Sequence, residues 1–470
     1  MAMQAGVDAA GGLWTAGGLS PFAAIARLAA PLTAFFAIQS ATSLASLTMV
    51  GRLGDSTLAG VGTASAIYGV VLALLFGADA ALQATVSRRV GAGQGELAGQ
   101  ALAEALALAA PVGLLLAAAC WFGAPRLLAA MLPDPGAARA GAAFLRGAAP
   151  SLLFQAVTIP INACWIASGR PKVALLVTAV LAPVQIAATF MLISGAGPLP
   201  PQGAAGVGAA LSLASLAGLA LQLILAARRG GVPGFPRAAP RPKGVAAIAM
   251  LGWPISLQQA LLQLGLIIAY AIMARLGVAQ VAAANVLISL ATVPAQLAVG
   301  LGVAAATLVG QSLGRGDVAG ARDWGWRTTA AGFAASAPFA LAAVFATRPI
   351  LGLFLHDPAT LAIAVGPLRI VGLGVAAGTL ARILSFALRG AGATRIGAAL
   401  GFASQWLIQL PLTWWAAVAL GLGLLGMAAV QAGVGVLEAL VTAGVWAGSR
   451  WIAADLAGRG VERHKRARLR

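Results

Sequence analysis

Twelve stretches of roughly 20 or more predominantly apolar residues follow one another along this chain, each long enough to cross the hydrocarbon core of a bilayer. They fall at about 28–50, 58–87, 100–122, 140–167, 173–195 and 204–227, then 246–274, 281–311, 328–347, 362–388, 396–420 and 426–449. Hydrocarbon offers no water to hydrogen-bond a peptide group, so a crossing segment must satisfy its backbone internally, as a helix or in a closed barrel. Stretches this far beyond barrel-strand length select helices. The composition agrees: 60% of the 470 residues are hydrophobic and 9% are charged, against about a quarter charged in a soluble domain. The expected fold is an all-α integral membrane protein.

The remaining composition removes other classes. Two His (His356, His464) and two Cys (Cys120, Cys164), both cysteines inside apolar runs, exclude a zinc centre and a disulfide scaffold. The first twenty residues hold no basic residue and no compact apolar core, so a short cytoplasmic tail is expected rather than a cleavable signal. The net charge is +18. With the N-terminus inside, 22 of the 30 basic residues fall on cytoplasmic segments, against five outside (Arg52, Arg126, Arg139, Arg275, Arg348) and three within spans (Arg146, Arg369, Arg382). That asymmetry satisfies the positive-inside rule and places both termini of a multi-pass cell-membrane protein in the cytoplasm. It also accounts for the charge without nucleic acid, which would need a basic soluble face with interleaved aromatics.

Sliding the chain by 223 residues superposes Pro31 on Pro254, Arg52-Leu53-Gly54 on Arg275-Leu276-Gly277, Gly91 and Gly93 on Gly314 and Gly316, Asp134-Pro135 on Asp357-Pro358, Leu145-Arg146 on Leu368-Arg369, and Gly169 on Gly392. One register held over more than a hundred residues marks a duplication. The chain therefore reads as a tail (1–27), a six-helix lobe (28–227), a polar cytoplasmic linker (228–245), a second lobe (246–449) and a basic tail (450–470). Six is even, so both copies enter from one side, and twelve transmembrane helices as two pseudo-symmetric six-helix bundles around a central cleft are expected, the layout of alternating access.

Met49-Val50-Gly51-Arg52-Leu53-Gly54 closing the first span, Gly91-Ala92-Gly93 after the second, Pro254 in the seventh, Gly310-Gln311-Ser312-Leu313-Gly314 after the eighth and Leu388-Arg389-Gly390-Ala391-Gly392 after the tenth resemble the multidrug and toxic compound extrusion (MATE) family. The resemblance runs from about Pro31 to Trp451. It implies two six-helix lobes and secondary-active export of bulky, often cationic organic compounds in exchange for Na⁺ or H⁺. The family's usual acids are missing. Ser46 stands where many members carry Asp in the first span, Gln258, Gln259 and Gln263 occupy the seventh, the tenth has no carboxylate, and Gln185 matches a frequent Asn of the fifth.

Three of the twelve carboxylates lie within spans: Asp79, Glu104 and Glu438. An ionised acid at the bilayer centre costs about 2.5–3.5 kcal/mol on insertion scales, so each is a functional candidate. Asp79 lies roughly 16 Å deep and is the first candidate for ion coupling, a structural bond to neighbouring hydroxyls being the alternative. Its repeat mate is Gly302, which makes it the sole deep acid without a counter-charge in this reading. Glu438 reaches a similar depth, and Arg382 of the tenth span is its buried partner if the two meet, which would favour a structural role. Glu104 is expected at the cytoplasmic interface.

Gln39, Ser43 and Ser46 on the first span, with Gln185, Gln259, Gln263, Asn285 and Gln409, are candidates to line the cleft or to hold helices together. Trp414 and Trp415 read as an aromatic belt. The expected function is antiport of amphipathic organic compounds by a monomer, with H⁺ or Na⁺ as coupling ion and no cofactor. The six basic residues of 459–470 would contact anionic lipid. A lipid-linked-substrate flippase would need a more cationic cleft, and a prenyltransferase would need clustered metal-binding acids.

Overall fold

A computed structural model describes residues 20–51, 53–195, 200–228, 231–232, 235, 239–355, 357–448 and 451. Among these the chain is helical without strands, and eleven helices are long and apolar enough to cross a membrane. The spans run Pro21–Gly51, Asp55–Ala73 with Phe76–Gly91, Ala98–Met131, Pro135–Ala167, Pro171–Ser194 and Gly203–Ala227, then Pro242–Ala274, Val278–Gly314, Val318–Phe345 and Pro358–Gly390. The last is Gly423–Ala447. Several exceed the expected cuts: the 37 residues of Val278–Gly314 measure about 55 Å, well beyond the roughly 30 Å of hydrocarbon, so their ends project past it.

Two spans depart from a simple rod. The second, expected as one helix over 58–87, breaks at Leu74–Leu75, where both amides fall back on carbonyls three residues earlier (Leu74 N to Val71 O, 3.2 Å; Leu75 N to Leu72 O, 3.0 Å). The eleventh is wound as Thr394–Phe402, a π-helical stretch Ala403–Gln409, Leu410–Trp414 and a second π stretch Trp415–Ala419.

The duplication is written in the backbone. Gly54 and Gly277 have φ of 101° and 97°, Gly93 and Gly316 73° and 84°, Gly169 and Gly392 77° and 76°. Each pair ends or begins a helix with a left-handed φ that only glycine adopts without strain. Asp134 and Asp357 cap the fourth and tenth spans alike. Asp134 accepts from the amides of Gly136 and Ala137, and Asp357 accepts from the amide of Thr360, in each case with proline opening the helix.

By packing, the described residues divide into two compact units, one formed by Ala34–Ala260 and one by residues 20–33 together with those from Leu261 onward. The first and seventh spans therefore each contribute to both. In the N-terminal unit, one core gathers Val61, Leu128, Leu145 and Leu152, and a second gathers Leu82, Leu102, Ile161 and Trp165. In the C-terminal unit Leu287, Leu351 and Leu368 form a core with Ala283 and Ala364. The abundance of Ala and Gly in these cores lets helix backbones approach closely, which is how helices associate where lipid is as apolar as leucine. Large apolar side chains such as Phe122, Phe345 and Leu440 point outward, as a lipid-facing surface requires.

Candidate functional site

Asp79 sits in the first turn of the helix that restarts after the break in the second span. Helix starts carry unpaired amides and the positive end of the backbone dipole, an arrangement that stabilises a carboxylate by about 0.3–1 kcal/mol in exposed cases. The break is held by the seventh span: Ser256 Oγ donates to Leu74 O at 2.5 Å. One turn on, Gly77 meets Gly252 so closely that a methyl on Gly77 would overlap Ser256 Oγ and the Gly252 carbonyl. The residue is half-buried, and it is not an isolated charge, because it takes part in an interaction within the protein. The expectation of an uncompensated acid is corrected to that extent.

The repeat-related contact exists in the C-terminal unit. Gly300, the mate of Gly77, lies against Thr33, the mate of Ser256, and a side chain there would strike Thr33 Oγ1 and its backbone. Nothing there corresponds to Asp79, since a side chain on Gly302 would run into the ring of Phe386.

Neutral hydrogen bonds join spans of the N-terminal unit. The hydroxyls of Tyr68 and Ser151 are 2.7 Å apart, and Ser151 Oγ donates to Ala148 O at 2.6 Å. Ser212 inserts its hydroxyl between Ser151 N (3.2 Å) and Gly147 O (2.7 Å), the pair that an unbroken turn would join directly. Further along, Trp165 Nε1 donates to Gln222 Oε1 (3.0 Å) and Gln222 Nε2 to Asn162 Oδ1 (2.5 Å). Ser212, Gln222 and Asn162 were not singled out in the sequence; polar residues isolated in apolar runs were the available signal.

In the C-terminal unit the ladder's positions hold Ala291, Gly374, Gly435, Leu388 and Val445, with Ser385 at the mate of Asn162, and charged side chains appear instead on other positions of the tenth and twelfth spans. Arg382 and Glu438, on the tenth and twelfth spans, lie close enough for each to feel the other's charge. They do not close into the direct pair contemplated from sequence: among the described residues neither enters a hydrogen bond or an ion pair within 4.0 Å. Along the eleventh span, Gln405 in the first π stretch donates to Leu262 O of the seventh at 3.2 Å and packs over Gly265. Phe402 stacks on Trp406 at 6.4 Å, and Trp406 Nε1 is buried without an acceptor.

The other sequence candidates are dispersed. In the N-terminal unit Gln39 and Ser43 are exposed, Gln185 and Gln259 half-buried, and Ser46 keeps a buried hydroxyl without a partner. In the C-terminal unit Asn285 is exposed, while Gln263 and Gln409 are half-buried. Trp414 and Trp415 are exposed. The tail 452–470 lies outside the described residues.

Glu104, expected at the cytoplasmic interface, is enclosed by protein. It is 3% exposed, with Gln100 Nε2 donating to it at 3.1 Å and the Arg89 guanidinium at 4.0 Å. Its carboxylate occupies the space where a side chain at Gly244 would begin, in the first turn of the seventh span. Gln100 also donates to Ala239 O at 2.6 Å. The acid thus fastens the linker end of the seventh helix to the N-terminal unit.

Comparison with known proteins places these features. The family model described as MatE matches residues 31–191 and again 254–415, two matches whose starts repeat the offset read from the sequence. The chain is 30% identical over 421 residues to the probable multidrug resistance protein NorM of Deinococcus radiodurans, covering 86% of this chain and 90% of the relative. It is 28% identical over 415 residues to the protein of that name from Bradyrhizobium diazoefficiens, covering 85% and 88%. Among solved structures, a MATE protein in complex with MaL6 superposes with a TM-score of 0.84 at 18% identity, covering 95% of this chain and 98% of that one. A MOP superfamily transporter from Pyrococcus furiosus superposes at 0.82, with 18% identity and the same coverage.

Proposed function

The chain belongs to the MATE family, and from that premise we propose that it exports amphipathic organic compounds, often cationic, in exchange for H⁺ or Na⁺ by alternating access. The observation that carries the coupling half of this reading is the placement of Asp79. An intramembrane carboxylate stands on the first turn of a helix that restarts mid-span, a position at which transporters gather ions.

A coupling ion shifts a conformational equilibrium only through its differential affinity for the two states. Asp79 supports such a difference because its setting is assembled from two chain segments far apart in sequence. The helix start supplies the field, and Ser256 and Gly252 of the seventh span hold the break open. A shift of the seventh span against the second would alter the carboxylate's surroundings, and with them its hold on a proton or Na⁺. The substrate is a small molecule and the protein acts as a monomer without a cofactor. Both termini face the cytoplasm, and the basic residues of 459–470 meet anionic headgroups.

The test uses the purified chain in proteoliposomes with Na⁺ and pH gradients imposed separately. Asp79→Asn is expected to abolish gradient-driven efflux while expression and thermal stability stay near wild type. Efflux at the wild-type rate in that variant removes Asp79 from coupling, and no efflux by wild type under either gradient removes the antiport reading.

A further inference from the structure

The second and eighth spans repeat one another, and local sequence would break the wrong one. The eighth carries Pro294, which removes a backbone donor, yet it runs as a single helix from Val278 to Gly314. The second has no proline between Asp55 and Gly91, yet it breaks at Leu74–Leu75. A close crossing by the neighbouring span does not separate them either, since Gly77 meets Gly252 and Ser256 as Gly300 meets Thr33. One hydrogen bond does. Ser256 Oγ donates to Leu74 O at 2.5 Å, whereas among the described residues no bond joins Thr33, the mate of Ser256, to Leu297, the mate of Leu74.

In an unbroken helix Leu74 O would accept from the amide of Ala78. Here Leu75 caps the new helix, and Leu74 O, left outside it, takes the hydroxyl of Ser256 instead. A side chain inserted into the backbone ladder is one of the few causes of a sharp helix break. Gly77 gives the hydroxyl its room, because a side chain there would occupy the place of Ser256 Oγ. Withdrawal of Ser256 returns Leu74 O to Ala78 and fuses the two helices, and the turn that holds Asp79 is then no longer a helix start. The third and fourth spans, packed on this helix, hold no charged residue between Glu104 and Arg126 or after Arg146, and the seventh holds none after Lys243. Their titratable groups in those stretches are Cys120, Cys164 and Tyr270. The helix start is therefore the field that the broken and fused states do not share.

We infer that Ser256 is a positioning residue for the coupling cation: its hydroxyl opens the second span and keeps the positive end of a helix beside Asp79 until the seventh span withdraws. That positive end competes with a cation at the carboxylate. The cation is held tightly in the fused state and leaves from the broken one, which is the differential affinity that coupling requires. The inference rests on the coupling role proposed for Asp79 and names the residue that switches it.

Two readouts on the full-length protein test it: amide hydrogen exchange of residues 74–80 in nanodiscs, and efflux of ethidium from proteoliposomes under imposed Na⁺ or pH gradients. Ser256→Ala should slow exchange in that segment by about fivefold, as Ala78 regains its acceptor, with a melting temperature near wild type. The same variant should lower the cation concentration that half-saturates efflux by about two- to thirtyfold, while maximal efflux falls because release is slower. Thr33→Ala, at the repeat-related crossing, should move neither readout. Unchanged exchange in Ser256→Ala, or slowed exchange with an unchanged half-saturating concentration, overturns the inference, and the coupling reading stands as long as Asp79→Asn abolishes efflux. Wild-type efflux in Asp79→Asn, or none in the wild type, sinks the coupling reading and the role of Ser256 with it.

Discussion

The N-terminal and C-terminal units share one six-helix plan, down to matched glycine dihedrals and matched aspartate caps, and fill it with opposite chemistry. In the first, neutral groups satisfy one another from Tyr68 through Ser151 to Ser212 and from Trp165 through Gln222 to Asn162, and the single deep carboxylate stands beside a helix break. In the second, those positions are apolar or glycine except for Ser385, the mate of Asn162, an arginine and a glutamate stand on the tenth and twelfth spans, and the irregular helix is the eleventh span rather than the eighth. Duplication conserved what the backbone needs, turns and close crossings, and left the interior polar groups free to specialise.

The shared plan is the feature most easily broken. Gly77→Val and Gly300→Val drive a side chain into the backbone of Gly252 and of Thr33 respectively. Both should destabilise by about 1–3 kcal/mol, and by similar amounts, since the contacts are repeat-related. Thermal melts of the purified variants measure this, and a large effect in one unit only would break the equivalence.

Smaller is the cost of cutting the ladder. Gln222→Leu leaves Trp165 Nε1 and the Asn162 amide without their partner and should lose about 1–3 kcal/mol, toward the lower end because the unfolded chain in a bilayer also finds partners. Its repeat mate tests the contrast: Val445→Leu should stay within about 0.5 kcal/mol. Equal losses would mean that the polar chemistry is incidental.

Smallest are the caps. The Ser56 hydroxyl, followed by the amides of Gly136 and Ala137, holds the Asp134 carboxyl below its ordinary 3.8, and the Thr360 hydroxyl and amide do the same for Asp357. A folded value below the unfolded one gives stabilisation that is complete above the ordinary carboxylate range and disappears as pH falls through the lowered value. Asp134→Asn and Asp357→Asn should therefore lower the melting temperature slightly at pH 7, with the deficit shrinking as pH falls below the ordinary carboxylate range and vanishing once the folded carboxyls are protonated. A deficit that persists in acid would assign the effect to packing.

The spans, their number and the duplication were legible because hydrocarbon enforces them locally: twenty apolar residues either form a helix or leave peptide groups unsatisfied. Counting along the helix could not show that Glu104 is enclosed by protein, because its burial comes from Gly244 of the seventh span, 140 residues on. The break in the second span had no local mark, since Val70–Ala78 holds no proline, and the donor that fixes it is Ser256, 182 residues away from Leu74. The π turns of the eleventh span likewise carry a bond to the seventh, through Gln405.

Residue types and their spacing along the chain determined the helices, their topology and the twofold plan, because the bilayer judges each segment by composition alone. Which carboxylate meets a helix start and which polar groups satisfy one another were decided only when distant spans packed. Those outcomes turn on separations of a few ångströms between residues from about sixty to more than a hundred and eighty positions apart, and a linear pattern holds no record of such distances.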